Sequence, residues 1–223
     1  MKFFIDTANL DQIKEGLDLG IIDGVTTNPS LMAKEGITGR DAILRHYVEI
    51  AKTVPGDVSA EVISTDFDGM IREGQELADL ANNIVVKVPL IKEGVKALSW
   101  FREHNIATNC TLVFSAGQAL LAAKAGATYV SPFIGRLDDT SWDGMQLIAE
   151  IAEIYAVQSF DTEILAASIR NGKHITDAAR NGADVVTCPL KSILSLLNHP
   201  LTDIGLAKFL DDHKQAARRA ATA

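Results

Sequence analysis

The stretch Ile84-Val85-Val86-Lys87-Val88-Pro89 is apolar at every position except one. Continuous apolar runs of this length are typical of parallel strands, because such strands are covered on both faces. The run therefore predicts a central strand of an α/β sheet. The lysine within it is unusual, since lysine is rarely buried unless it is paired or used in chemistry.

Seven further short apolar or β-branched runs occur along the chain, and most precede a segment with helical spacing. The predicted strands are Lys2–Asp6, Ile22–Thr26, Val58–Val62, Ile84–Val88, Ile106–Cys110, Thr128–Pro132, Glu163–Ala167 and Ala183–Thr187. Apolar residues three and four positions apart predict helices at Asp66–Leu80, Glu93–Glu103, Ser115–Ala123, Trp142–Ala156 and Thr176–Asn181. Gly126 and Gly182 each follow a helical segment and precede a strand, as expected of helix-ending glycines.

Eight strands alternating with helices in 223 residues predict a closed (β/α)8 TIM barrel, with residues 1–223 as one domain. The alternative that the pattern leaves open is an open doubly wound sheet. An extra amphipathic helix is predicted after Pro200, within residues 201–217. This helix either lies on the wall of its own barrel or contacts a neighbouring subunit.

Composition excludes several classes of function. A formal net charge of −8 argues against a nucleic-acid-binding protein, although a local basic pocket remains compatible with it. The N-terminus has no secretory signal and no run reaches the ~18 apolar residues of a membrane span, so we expect a cytoplasmic protein without a membrane partner. Cys110 and Cys188 have no metal-binding spacing, and the five histidines are scattered, so no metal site is expected.

Polar residues cluster at the ends of the predicted strands, where the catalytic groups of barrel enzymes are found. They are Asp6, Thr26, Asn28, Glu61, Lys87, Asn109, Thr111, Ser131, Arg136, Ser168, Arg170 and Thr187. Because these residues follow different strands of one barrel, we expect them to converge on one mouth.

Lys87 is the candidate nucleophile. Burial disfavours the charged form of an amine, and an uncharged amine can attack a carbonyl to form a Schiff base. The alternative is a lysine paired with a carboxylate inside the barrel. Asp6, Glu61 and Thr111 could supply the proton transfers that Schiff-base chemistry requires. Taken singly, each acid is more typical of a helix N-cap or a salt bridge, but as a set around a buried lysine they fit catalysis better.

Arg136, Ser168 and Arg170 follow the sixth and seventh predicted strands, where barrels often bind phosphate. Two guanidinium groups and a hydroxyl suit a phosphate dianion. The alternative for each arginine is a surface salt bridge. Asn28 could bind a substrate hydroxyl, although Thr27-Asn28-Pro29-Ser30 also fits a cap and turn at the start of a helix.

Five motifs resemble, in order, those of the transaldolase family, and most closely its short subfamily, which also contains fructose-6-phosphate aldolases. They are Phe4-Ile5-Asp6-Thr7-Ala8, Gly24-Val25-Thr26-Thr27-Asn28-Pro29-Ser30, Ile84-Val85-Val86-Lys87-Val88-Pro89, Tyr129-Val130-Ser131-Pro132-Phe133 and Leu165-Ala166-Ala167-Ser168-Ile169-Arg170. The resemblance extends from residue 2 to about residue 210.

The resemblance implies a role for each candidate residue. Lys87 matches the Schiff-base lysine, Asp6 the acid that takes the substrate's hydroxyl proton, and Glu61 with Thr111 the pair that handles the catalytic water. The substrate and its phosphate are expected to contact Thr26, Asn28, Asn109, Ser131, Phe133, Arg136, Ser168 and Arg170. The implied partners are sugar phosphates and further copies of the chain, as a homopentamer or homodecamer assembled through the C-terminal helix, and no cofactor is implied.

Two positions bear on the reaction. The aldolases of the short subfamily carry Gln where Glu61 stands and Tyr where Phe133 stands. A glutamate can exchange protons with the catalytic water and a glutamine cannot, while a phenylalanine offers no hydroxyl to activate that water. The resemblance therefore implies a transaldolase, which transfers a dihydroxyacetone unit, and fructose-6-phosphate aldolase is the alternative.

Overall fold

The computed structural model describes residues 1–221, in which eight parallel strands close into a barrel. The strands are β1 (Lys2–Asp6), β2 (Gly24–Thr26), β3 (Val58–Glu61), β4 (Ile84–Pro89), β5 (Thr108–Val113), β6 (Tyr129–Pro132), β7 (Glu163–Ala166) and β8 (Val185–Cys188). Each pairs with its neighbours in chain order, and β1 pairs with β8. The predicted barrel is confirmed, and the β1–β8 pairing excludes the open sheet. Residues 222 and 223 of the predicted domain lie outside the described residues.

Helices follow the strands around the outside of the barrel. They are α1 (Leu10–Asp18), α2 (Pro29–Lys34), α3 (Arg40–Thr53), α4 (Phe67–Ala78), α5 (Lys92–Glu103), α6 (Ala116–Ala125), α7 (Ile134–Asp138), α8 (Gly144–Gln158), α9 (Gly172–Arg180), α10 (Leu190–Leu194) and α11 (Pro200–Ala221). All the predicted helices are present. Gly126 ends α6 with a φ of +90°, the left-handed conformation that glycine adopts most easily, so its predicted role is confirmed.

The strand alternation divides the core into two layers. Outward-facing residues such as Val86 and Val88 pack beneath the helices in the main core. Inward-facing residues form a second apolar cluster inside the barrel, made of Phe4, Val85, Tyr129, Phe133, Leu165, Ala167 and Val185. Gly24 makes room for this cluster, because a Cβ there would lie 2.6 Å from the Phe4 ring.

The inward-facing positions change from apolar to polar toward the C-terminal ends of the strands. Val85 and Lys87 lie two residues apart on β4 and so share a face. Phe4 and Asp6 stand in the same relation on β1. The barrel interior is therefore filled by hydrocarbon below and by hydrogen-bonding groups above.

The C-terminal helix α11 lies beyond the eighth strand and does not pack on the barrel. None of its residues is buried, and its large apolar side chains Leu201, Ile204, Leu206, Phe209 and Leu210 are 52–71% exposed. The alternative that it covers its own barrel wall is wrong. Across residues 1–221, the helices are too short or too polar for any of them to cross a bilayer.

Candidate active site

A cavity of about 490 Å³ opens at the C-terminal ends of the strands. The predicted residues that line it are Asp6, Thr26, Asn28, Glu61, Lys87, Thr111, Ser131, Phe133, Arg136, Ser168 and Thr187. It is also lined by Leu112, by Ala167 and by four residues of α2, including Lys34. Barrel closure thus brings most of the predicted site to one place.

Lys87 lies at the floor of the cavity with 6% of its surface exposed. β3 and β4 pair so that Glu61 lies beside Lys87, and the lysine Nζ is 3.1 Å from Glu61 Oε2. Nζ also lies 3.4 Å from the carbonyl oxygen of Thr27, to which it donates. The lysine is therefore paired with a carboxylate, as one sequence interpretation expected, and it also lines the cavity, where its nucleophilic role stays a prediction.

Asp6 is held by the Thr26 hydroxyl, which in turn contacts the Thr187 hydroxyl. Thr26 Oγ1 donates to Asp6 Oδ1 at 2.8 Å and lies 2.6 Å from Thr187 Oγ1. The helix that follows is capped by Asn9 and not by Asp6, so the capping alternative for Asp6 is wrong. The arrangement leaves the second carboxylate oxygen of Asp6 available to a substrate.

Thr111 is placed by an irregularity in β5. Cys110 pairs with Val130 and Val113 with Pro132, so two residues of β5 lie opposite one of β6. Leu112, the extra residue, has a φ of +61°. Bulges of this kind redirect side chains near functional sites. The Thr111 hydroxyl is buried against the cavity and has no hydrogen-bond partner among the described residues, as expected of a group that binds a water or a substrate.

Asn109 does not line the cavity, although the sequence predicts that it binds substrate. It is fully buried below Ser131, whose hydroxyl donates to Asn109 Oδ1 at 2.7 Å. The Asn109 amide nitrogen donates to Ser59 Oγ at 3.1 Å. In the described structure Asn109 contacts the cavity-lining Ser131 and is not itself among the residues that line the cavity.

Asn28 caps a helix and also lines the cavity, while its contact with a substrate hydroxyl stays a prediction. Its side-chain oxygen caps α2 by accepting the Leu31 amide at 3.0 Å. Asn28 also lines the cavity, and its side-chain nitrogen can donate a hydrogen bond there. Capping therefore orients the amide that a substrate hydroxyl would meet.

The region predicted to bind phosphate is assembled where the loops after β6 and β7 meet. The Ile134 and Gly135 amides donate to the carbonyls of Ala167 and Ser168, each at 3.1 Å. Ser168 has a φ of +60°, an uncommon conformation for a residue other than glycine and one that is often found at functional sites. The Arg136 guanidinium lies 4.5 Å from the centre of the Phe133 ring, which it covers.

Arg170 packs against this junction, since its Nε would lie 2.6 Å from a Cβ on Gly135, but it is not among the residues that line the cavity. Its guanidinium is 2.6 Å from Asp139 Oδ2 and its side chain is 52% exposed, so the salt-bridge alternative is the one observed. Lys34 lines the cavity, and the sequence analysis missed it. The sequence signal that could have identified Lys34 is the helix that starts after the Asn28 cap, because Lys34 lies on that helix.

Burial alters the acidity of groups around the site. Burial, and then the negative charge of Asp6, raise the pKa of the Cys188 thiol to about 12. Burial raises the pKa of Cys110 to about 12 as well. Both cysteines are fully buried, and their thiols are therefore neutral at physiological pH.

Comparison with known proteins agrees with this geometry. The family model for Transaldolase/Fructose-6-phosphate aldolase matches residues 3–222. Proteins described as probable transaldolases are similar over nearly their whole length. One from Cytophaga hutchinsonii is 66% identical over 96% of this chain and 99% of its own, and one from Flavobacterium psychrophilum is 65% identical over 98% and 100%.

Among solved structures, inosine 5'-monophosphate dehydrogenase from Legionella pneumophila resembles the chain with a TM-score of 0.54. The match covers 83% of this chain and 57% of that one at 16% identity. At this identity the likeness concerns the barrel fold alone.

Proposed function

This chain belongs to the transaldolase/fructose-6-phosphate aldolase family, and we propose that it is a transaldolase that carries a dihydroxyacetone unit on Lys87. The donor would be fructose 6-phosphate or sedoheptulose 7-phosphate, and the acceptor erythrose 4-phosphate or glyceraldehyde 3-phosphate. One observation supports this proposal above the others. The Lys87 amine lies in an otherwise apolar strand, at the floor of a polar cavity and 3.1 Å from a carboxylate.

The first step joins the ketose to the enzyme. Lys87 Nζ attacks the C2 carbonyl of the ketose, and the carbinolamine then loses water to give an iminium ion. Glu61 is close enough to Nζ to exchange protons during these transfers. The unpartnered Thr111 hydroxyl would hold the water that is released.

The second step breaks the C3–C4 bond. The Asp6 carboxylate accepts the proton of the C4 hydroxyl, whose oxygen becomes the carbonyl of the departing aldose phosphate. The bonding electrons move into the iminium, and the dihydroxyacetone unit remains on Lys87 as an enamine. Thr26 would keep Asp6 in place through its 2.8 Å hydrogen bond. The incoming aldose phosphate then reverses these steps.

The phosphate of donor and acceptor would lie against Arg136 and the Ser168 hydroxyl. Arg136 has no ion-pair partner recorded within residues 1–221 and lines the cavity, so its charge is available to a dianion. The iminium itself accepts the electrons of the breaking bond, so this chemistry requires no metal or organic cofactor. We propose the pentose phosphate pathway of the cytoplasm as its setting.

Product analysis tests the reaction type. Fructose 6-phosphate is incubated with and without erythrose 4-phosphate, and the products are separated. We expect sedoheptulose 7-phosphate only when the acceptor is present. Free dihydroxyacetone formed at a comparable rate without acceptor would instead identify an aldolase, which the family description equally includes.

Borohydride trapping tests the Schiff base. Reduction in the presence of fructose 6-phosphate should attach a three- or six-carbon adduct to the peptide that contains Lys87. Lys87→Ala should lose both the adduct and turnover. A Lys87→Ala protein that retained full activity would contradict the proposed mechanism.

A further inference from the structure

The hydrogen-bond ladder between β2 and β3 stops beside the candidate active site. The Val25 amide donates to the Asp57 carbonyl at 2.9 Å, and the Thr27 amide donates to the Ser59 carbonyl at 3.3 Å. In a parallel ladder the next bond would join the Glu61 amide to the Thr27 carbonyl. This bond is not formed, so both backbone groups need other partners.

Each of these groups is taken by a side chain. The Glu61 amide donates to the Tyr47 hydroxyl oxygen at 3.3 Å. The Thr27 carbonyl instead accepts the Lys87 ammonium at 3.4 Å. The missing ladder bond thus frees an acceptor for the lysine, and the tyrosine satisfies the donor that is left over.

Tyr47 makes this contact from the outer layer of the barrel. It lies on α3, is 2% exposed and is among the largest fully buried side chains of the core. Tyr47 is not among the residues that line the cavity. Burial raises the pKa of Tyr47 to about 12, so the hydroxyl is neutral at physiological pH and can accept the Glu61 amide without adding a second negative charge.

We propose that Tyr47 is a positioning residue for the Lys87–Glu61 pair. By holding the Glu61 amide, it keeps the ladder open beyond Ser59 and leaves the Thr27 carbonyl to orient the lysine amine. This inference rests on the proposed Schiff-base function, and it adds a residue of an outer helix that touches neither substrate nor reacting atoms.

The test variant is Tyr47→Phe, which keeps the ring in the core and removes the hydroxyl. Without that hydroxyl, we expect the Glu61 amide to take the Thr27 carbonyl, its regular ladder partner, so that Lys87 loses an acceptor. We expect kcat for ketol transfer to fall about tenfold while KM changes by less than twofold. The rate of borohydride-trapped adduct formation should fall by the same factor as kcat.

Tyr155→Phe is the matched control. Its hydroxyl is also buried and donates to a backbone carbonyl, that of Ala119 at 2.7 Å, but it lies on α8 away from the cavity. Both variants lose one buried hydroxyl, so both should lose similar thermal stability. Tyr155→Phe should keep the wild-type kcat and trapping rate.

The outcomes separate this proposal from the proposed function. A Tyr47→Phe protein with wild-type kcat and trapping rate would overturn the positioning role and leave Tyr47 as a core residue. If the wild type itself forms no trapped adduct, the Schiff-base function fails. A crystal structure of Tyr47→Phe then decides the positioning role. A hydrogen bond from the Glu61 amide to the Thr27 carbonyl would support it. An unchanged position of Lys87 Nζ and the Thr27 carbonyl would overturn it.

Discussion

Arg136 and Arg170 show that two arginines predicted to bind the same phosphate can have different surroundings. Arg136 lies on the Phe133 ring at the cavity, whereas Arg170 forms an exposed ion pair with Asp139. An exposed ion pair contributes little to stability. The difference between the two arginines is therefore expected to appear in substrate binding.

The first prediction compares Arg136→Ala with Arg170→Ala. Loss of a charge-assisted hydrogen bond to phosphate costs about 1.5–3 kcal/mol, so Arg136→Ala should raise KM for fructose 6-phosphate about 10- to 100-fold. Arg170→Ala should raise it less than about threefold. Steady-state kinetics on both variants measure this. Equal effects would mean that Arg170 leaves Asp139 when substrate binds.

The second prediction concerns the two cysteines. Since burial raises the pKa of both thiols to about 12, only about one part in ten thousand is thiolate at pH 8. Neither should react with a disulfide reagent in the native protein within minutes, and both should react at once in denaturing guanidinium. Val157→Cys, at an exposed position of α8, is the positive control. Rapid labelling of two thiols in the native wild type would contradict the buried placement.

At the scale of elements, the segment after β3 depends on α4 for its shape. Glu73 of α4 accepts the Ile63 amide at 2.6 Å and the Ser64 amide at 3.0 Å, together with the Ser64 hydroxyl. We call these three hydrogen bonds the Glu73 clasp. Ile63 is two residues beyond Glu61, so the clasp holds the backbone segment directly after the candidate active site. The clasp needs the ionised carboxylate, which accepts all three hydrogen bonds.

The third prediction follows from the acidity of Glu73. Partial burial acts to raise its pKa, but hydrogen bonds from Ser64 and Ile63 and the charge of Arg72 outweigh it and lower the pKa below 4.5. The stabilisation is therefore present above pH 4.5 and is lost as the pH falls through the lowered value. Glu73→Gln should lower Tm by about 2–4 °C at pH 7, corresponding to about 1 kcal/mol, and by less at pH 3.

Thermal unfolding of both proteins across this pH range checks the third prediction. Glu153→Gln, which changes an exposed glutamate of α8, is the control and should leave Tm unchanged at both pH values. A Tm difference for Glu73→Gln that stays constant from pH 7 to pH 3 would show that the carboxylate charge does not matter to the clasp.

At the scale of the whole molecule, the helix α11 has no buried residue and does not pack against the barrel. Its exposed apolar side chains form a surface that a folded monomer would leave in water, which is typical of a protein–protein contact. We propose that the chain forms a homopentamer or homodecamer in which this helix contacts a neighbouring subunit.

The fourth prediction concerns this assembly. The wild type should sediment as a species of five or ten chains, and Phe209→Asp should shift it to smaller species, because a charge would be buried at the contact. Val157→Asp places the same charge at a residue of α8 that is equally exposed, 72% against 71%, and should leave the mass unchanged. A monomeric wild type would contradict the proposal.

Some elements could have been predicted and were not. Helix α3 carries Ile43, Tyr47 and Ile50 at helical spacing, a signal that was present in the sequence but was not used. The bulge that places Thr111 had no such signal, because Leu112 is not a residue type that favours a positive φ.

The sequence by itself determined the strands, the barrel and the lysine within it, because these depend on the periodicity of apolar residues along the chain. Val85 and Lys87 share the inner face of β4 through the two-residue repeat of a strand alone. Strand ends of a barrel meet at one mouth, so the candidates could be named before their distances were known.

Only the tertiary structure decided which of these groups touch. The β3–β4 register brought Glu61 to 3.1 Å from Lys87, and packing of α3 brought the Tyr47 hydroxyl to the Glu61 amide. It also brought Asn109 to Ser131 and Arg170 to Asp139. Contacts of this kind join residues far apart in the chain, and their geometry depends on strand register, loop conformation and helix packing, which no local pattern encodes.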